Sequence, residues 1–106
     1  MQEGLPWVSI IVLNWNGKEF LTGCLEALRR QTFRDFETIL VDNGSSDGSV
    51  VFVRQNFPEV RICTLDKNLG FAGGNNVGIR HARSLDEIYV CPIRVGEASF
   101  LDDNAA

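Results

Sequence analysis

Asp42, Asn43, Gly44, Ser45, Ser46 and Asp47 follow directly on the apolar run Ile39, Leu40 and Val41. Two carboxylates and several small polar groups therefore stand just beyond the end of a strand, the place where open α/β sheets bind ligands. Two further polar clusters follow apolar runs in the same way: Asn14, Trp15 and Asn16, then Asp66, Lys67 and Asn68. In a parallel sheet these three strand ends share one edge, so the clusters form a single polar cleft rather than three unrelated turns. Asp and Asn also make turns and cap helices, and Asp47 is well explained by that local role.

The elements that must position these residues are legible in the apolar periodicity. Residues 7–13 are a nearly continuous apolar run, the pattern of a strand covered on both faces, which the residues 14–17 then end. From Lys18 the period changes: Phe20, Leu21, Cys24, Leu25 and Leu28 recur at three- and four-residue intervals, one side of a helix. Asn14 or Asn16 is placed to accept from its first-turn N–H groups. Residues 38–41 make a second strand, and the interval fits a helical crossover between parallel neighbours. Ser45, Ser46 or Asp47 caps a short helix carrying Val50, Val51 and Val53, closed by Pro58. Residues 61–65 form a third strand. In the segment after it, Gly70, Gly73, Gly74 and Gly78 permit a tight loop, with a helix over about 74–83 and Val77, Ile79 and Ala82 partly inward. Residues 87–91 make a fourth strand.

Composition bounds what this cleft belongs to. The chain has 106 residues, 44% hydrophobic and 23% charged, within the range of one small domain. Ten Lys or Arg against fourteen Asp or Glu give a net charge of -4 and an isoelectric point near 4.8, with no basic stripe. Nucleic acid is excluded as an expected partner. No segment has the length of a membrane span and the N-terminus lacks a signal-like pattern. A cytoplasmic location is expected, with peripheral attachment at the inner face of the membrane as its variant. Cys24, Cys63 and Cys91 are widely spaced and odd in number, so all three are expected to be reduced, with no zinc knuckle. His81 lies between Arg80 and Arg83 on the third helix, with no companion at metal or triad spacing, and is expected to face solvent.

Three segments, each at a strand end and in this order, carry a resemblance: residues 8–17 (VSIIVLNWNG), 40–49 (LVDNGSSDGS) and 68–78 (NLGFAGGNNVG). Together they resemble the opening half of a family 2 glycosyltransferase with the GT-A fold, particularly its rhamnosyltransferase-like branch. The resemblance covers about residues 7–83. It implies a three-layer, Rossmann-like α/β fold with a mostly parallel sheet, residues 1–106 being the nucleotide-binding part of a GT-A domain. A dinucleotide fingerprint is excluded, because the glycine spacing differs and does not follow the first strand.

The resemblance also implies residue roles. Asn14 and Trp15 line the base and ribose pocket, and Asp42 faces a uracil or thymine ring, accepting a hydrogen bond from the base N–H. Asn68 and Gly70 match the turn under the nucleotide. Asn75 stands where many relatives carry an arginine toward the diphosphate, a charge that an amide does not supply. The donor is then a UDP- or dTDP-sugar, transferred by inverting displacement to a glycan or lipid-linked acceptor, with Mg²⁺ or Mn²⁺ offsetting charge on the departing diphosphate. Relatives place an Asp-rich metal motif directly after the fourth strand, whereas this chain continues Val90, Cys91, Pro92, Ile93, Arg94 with no acid. Asp102 and Asp103 arrive later and are the metal candidates. No residue is assigned as the catalytic base, and the chain ends before an acceptor region. Donor binding is therefore expected of these residues and sugar transfer by them alone is not. The alternatives are a non-catalytic nucleotide-binding or structural fragment, and a small receiver-like domain, which the absence of an acidic cluster after the first strand disfavours. A sheet cut at this point exposes an edge and invites self-association.

Overall fold

The computed structural model describes residues 4–94; Asp102 and Asp103 lie outside the described residues. Strand β1 is Val8–Trp15, β2 Phe36–Asp42, β3 Arg61–Thr64 and β4 Glu87–Arg94, and helices α1 (Lys18–Arg29), α2 (Ser49–Asn56) and α3 (Gly70–His81) alternate with them. Among the described residues the strands form one parallel sheet in the order β3-β2-β1-β4. The expected α/β architecture is thus present.

Successive strand side chains serve opposite faces. Val12 and Leu40 pack with Leu21 and Leu25 of α1 and Val53 of α2, while Ile11, Leu13, Ile39 and Val41 pack with Val77 of α3. Burying each such aliphatic side chain contributes about 1.5–3 kcal/mol relative to leaving it exposed. The chain steps outward from β1 through β2 to β3 with both helices on one face, then returns along the other face through α3 to reach β4.

Several boundaries differ from the sequence expectation, each for a local reason. β1 continues through Asn14 and Trp15, because Asn14 stays in register with Asp42 of β2 and Trp15 with Arg94 of β4. β4 likewise runs past Cys91; Pro92 is tolerated because, among the described residues, β4 has a neighbour on one side only. Phe20 is exposed, since it lies about 100° around the helix from Leu21, at the margin of the inward stripe. Only Val53 of the three α2 valines is buried. α3 begins at Gly70 rather than near Gly74, and the glycine segment is mostly helix. A Cβ on Gly78 would meet Ile11 Cγ2 at 2.6 Å and one on Gly74 would meet Leu13 Cδ1 at 2.5 Å. These glycines let α3 lie close on the sheet. Ile79 is 46% exposed, not inward as expected. His81 is exposed as expected, with Nδ1 2.9 Å from the Val77 carbonyl oxygen. Ile88, Tyr89 and Val90 of β4 are also exposed, the apolar surface expected of a free edge.

One carboxylate ties the sheet to the chain that follows α3. Glu37, with its side chain 8% exposed, accepts from Ser9 Oγ at 2.6 Å, Arg61 Nη1 at 2.6 Å and the Arg83 N–H at 2.7 Å. Burial alone would raise its pKa, but these hydrogen bonds and the Arg61 charge together hold it below the ordinary glutamate value. Asp47 is lowered in the same way, burial being outweighed by donors from Ser49 and Lys18. A folded pKa below the unfolded one stabilises the fold above the unfolded value and loses that stabilisation as pH falls through the folded one. Urea midpoints should therefore hold from pH 7 to about 5 and fall steeply below about 4.3. Glu37→Gln should flatten part of that fall; an unchanged slope would remove Glu37 from the account.

Candidate functional site

The carboxyl ends of β1, β2 and β3 meet at one edge, as the polar clusters require. Asn14 closes β1 with its amide buried, donating from Nδ2 to Asp42 Oδ1 at 2.9 Å and accepting at Oδ1 from the Gly17 N–H at 3.1 Å. Asp42 is 3% exposed, and its Oδ2 accepts from the Ser45 N–H at 2.9 Å. Ser45 Oγ in turn accepts from the Asn16 N–H at 2.9 Å, and Asn16 Oδ1 from the Ser46 N–H at 2.8 Å. Asn16 adopts a φ of 53°, a conformation asparagine tolerates better than most residues. The loops after β1 and β2 are thereby stitched to each other on both sides.

Asp47 braces the starts of two helices. Its Oδ2 accepts from the Lys18 N–H at the start of α1 at 3.0 Å, and its Oδ1 from the Ser49 N–H at the start of α2 at 3.0 Å and from Ser49 Oγ. The two N–H groups are otherwise free first-turn donors, and an anion there also complements the helix dipole. The bracing role expected of Asp47 is the one observed.

The third loop is held by Asn43. Its Oδ1 accepts from the Leu69 N–H at 2.8 Å and its Nδ2 donates to the Gly70 carbonyl at 3.1 Å. Asn68 Oδ1 accepts from the Gly70 N–H at 2.7 Å, closing the turn from which α3 starts. Asn68 and Gly70 are exposed at the cleft edge, while Trp15, the last residue of β1, is half-buried. Asn75, on α3 beside Gly74, is 9% exposed, and its Oδ1 has no hydrogen-bond partner. A buried acceptor without a donor is costly and calls for an explanation, a bound group being one.

Asn14, Asp42, Asn68 and Gly70 thus come together through shared loops, with Trp15 at the end of the same strand and Asn75 on the helix that the third loop starts. From sequence Asn43 has no assigned role, and Ser45 and Asn16 enter only as candidate helix caps; the signal for all three is short polar side chains immediately after strands, where such residues bond main-chain groups. A cavity of about 420 Å³ opens beside this network between the starts of α1 and α2, lined by Asn16, Lys18, Glu19, Thr22, Asp47 and Phe52. A larger one of about 510 Å³, among Trp7, Val8, Phe36, Glu87 and Tyr89, lies toward the amino ends of the strands, away from the loops. Among the described residues no group of three His, Cys, Asp or Glu is arranged to hold a metal ion. Asp42 and Asp47, the carboxylates of this edge's second loop, each accept from protein donors at both oxygens, though neither set of donors exhausts the lone pairs. The described residues therefore do not by themselves build a metal centre.

The family model for Glycosyl transferase family 2 matches residues 9–92. The chain belongs to that family. In this family 2 chain the match runs from β1 into β4 and takes in all three loops. Among curated relatives, the teichoic acid poly(glycerol phosphate) polymerase of Staphylococcus epidermidis is 32% identical over 81 residues, 73% of this chain and 11% of that protein. Glycosyltransferase AglE of Haloferax volcanii is 33% identical over 87 residues, 77% of this chain and 29% of that protein. Among solved structures, the mannosyltransferase PcManGT of Pyrobaculum calidifontis, in complex with GDP-Man and Mn²⁺, superposes with a TM-score of 0.67 at 25% identity, over 76% of this chain and 25% of that one. Residues 1–349 of S. aureus TarS match with a TM-score of 0.69 at 24% identity, over 92% of this chain and 31% of that one, and show the fold. The family 2 chain described here is a partial GT-A domain, spanning under a third of the length of each of these proteins. Among its described residues no helix is long and apolar enough to cross a membrane.

Proposed function

We propose that this chain is the donor-binding part of a family 2 glycosyltransferase, receiving the nucleoside diphosphate of a UDP- or dTDP-sugar at the carboxyl edge of its sheet. In the whole protein the sugar passes by inverting displacement to a glycan or lipid-linked acceptor. The rhamnosyltransferase-like motifs favour dTDP-rhamnose, and the teichoic acid relative favours a cell-surface polymer as product. Asp42 keeps lone pairs beyond the two already used and reads the base N–H, with Asn14 and Trp15 forming the nucleoside wall. Asn68 and Gly70 form the turn beneath the nucleotide. The observation that carries the reading is the buried, unpartnered Oδ1 of Asn75, an acceptor without a protein donor on the helix that the third loop starts, at the position the family resemblance directs toward the diphosphate. For an Mg²⁺ or Mn²⁺ ion the sequence offers Asp102 and Asp103, and the PcManGT complex contains Mn²⁺.

A second reading, nucleotide binding without transfer, is favoured by β4. The strand continues to Arg94, in register with Trp15, so a basic residue occupies the site edge where the family motif would place an acid. Calorimetry of the 106-residue chain with UDP, dTDP and GDP, with and without Mn²⁺, tests what both readings share. The pyrimidine nucleotides should bind more tightly than GDP. Asn75→Ala should weaken that binding about tenfold while leaving stability equal or higher, because it removes an unsatisfied acceptor. A folded chain that binds none of the three would refute the donor site; transfer to an added acceptor would dismiss the second reading.

A further inference from the structure

Cys91 and Cys24 occupy one spot in the fold from two directions. Cys91 of β4 is in register with Val12 of β1, and Val12 points toward α1. Cys24 of α1 packs against the cluster that contains Val12. One turn further along α1, Leu28 lines the same cavity as Ile10 and Tyr89, the next register pair down the two strands on that face. A helical turn and two strand residues cover similar rises, about 5–7 Å, so Cys24 is level with Cys91 just as Leu28 is level with Tyr89. The two thiols are near enough for each to perturb the other's ionisation. Cys63 sits in β3, at the opposite end of the strand order, and packs on the α3 face.

We propose that Cys24 and Cys91 form a reversible disulfide that clamps α1 to the edge strand β4 when the chain meets a low-molecular-weight disulfide such as oxidised glutathione. Cys91 is exposed and is the attacking thiol. The neighbouring Cys24 thiol favours its thiolate and lowers its pKa, while the same neighbour and burial push Cys24 upward. The Cys91 thiolate attacks one sulfur of the small disulfide, whose S–S bond breaks and releases one thiolate. In the resulting mixed disulfide Cys91 is no longer an anion, so the charge that opposed ionisation of Cys24 is gone. Cys24 loses that proton to solvent, attacks the Cys91 sulfur and expels the second small thiol. Two protein thiols are oxidised and one small disulfide is reduced to two thiols. The clamp joins α1, whose start is braced by Asp47, to the strand whose end is level with Trp15.

The test treats the whole chain with oxidised glutathione, blocks remaining thiols with N-ethylmaleimide at low pH, and maps the digest by mass spectrometry. The expected result is a peptide pair joined through Cys24 and Cys91, with Cys63 carrying the maleimide, reversed by dithiothreitol. The joined form should melt roughly 10 °C or more above the reduced one, because the bond closes the long loop between positions 24 and 91. Recovery of both Cys24 and Cys91 as maleimide adducts overturns the proposal, as does a lasting glutathione adduct on Cys91 with Cys24 blocked by maleimide. A cross-link through Cys63, or a joined chain that melts no higher, overturns it equally. In Cys24→Ser the expected product is that lasting Cys91 adduct; a variant that resists all modification at Cys91 contradicts its role as the attacking thiol.

Discussion

Gly44→Ala is expected to destabilise the chain by about 3 kcal/mol or more and to abolish nucleotide binding at the same time. Gly44 has a φ of 82°, a conformation costing roughly 1–2 kcal/mol for an ordinary L-residue. A Cβ there would also lie 2.7 Å from the Lys67 carbonyl carbon and 2.8 Å from the Asn68 nitrogen, main-chain atoms with no rotamer to swing aside. The loop after β3 would have to move, and with it the Asn68 turn and the Asn43 bonds to Leu69 and Gly70. Gly48 supplies the control. Its φ is 83°, but a Cβ there meets nothing nearer than Lys18 Nζ at 3.8 Å, so Gly48→Ala should cost only the conformational share. Urea denaturation of both variants reads the difference. If Gly44→Ala costs no more than Gly48→Ala, the close approach of the two loops does not constrain the site.

That close approach was invisible in the sequence, and the reason is general. Apolar runs report which strands are covered on both faces, so β1 and β2 were legible to within two residues, and the three- and four-residue period of Leu21, Cys24, Leu25 and Leu28 located α1. Glycine reports only permission. In residues 70–73 its low helix propensity suggested a loop where α3 in fact starts, while Gly74 and Gly78, within the expected helix, are required because α3 lies against Ile11, Leu13 and Val41. The ends of β1 and β4 were missed for a related reason. A strand in a parallel sheet persists as long as its neighbours supply hydrogen bonds, and Asn14, Trp15 and Pro92 are placed by those neighbours rather than by their own preferences. At the site, the residue types at strand ends identified the edge correctly. They did not show that Asp42 and Asn14 hold each other, because the two positions meet only once the register between β1 and β2 is set.

That mutual grip separates holding the loops from reading a base, and it yields the second large effect. Asp42→Asn keeps the volume but replaces one carboxylate oxygen with an NH2 group. The other partners at that position, Asn14 Nδ2 and the Ser45 N–H, are both donors, so one buried donor must face another. A loss of about 1–3 kcal/mol in stability is expected, with pyrimidine nucleotide affinity reduced at least tenfold. Asn14→Asp alone should cost at least as much, since it sets two buried carboxylates against each other. The exchanged pair, Asn14→Asp with Asp42→Asn, restores the complements: the new amide donates to the new carboxylate and accepts from the Ser45 N–H, while the carboxylate at position 14 still accepts from the Gly17 N–H and the Ser45 hydroxyl, which took a bond from Asn14 Nδ2, turns its proton toward it. Thermal denaturation of the double variant should therefore recover most of the lost stability. Its nucleotide affinity should not recover, because the charge that reads the base has moved to the neighbouring strand. Recovery of both would mean that Asp42 only braces the loop; recovery of neither would mean that the Asn14 and Asp42 contact is not the link between β1 and β2 that holds the cleft in shape.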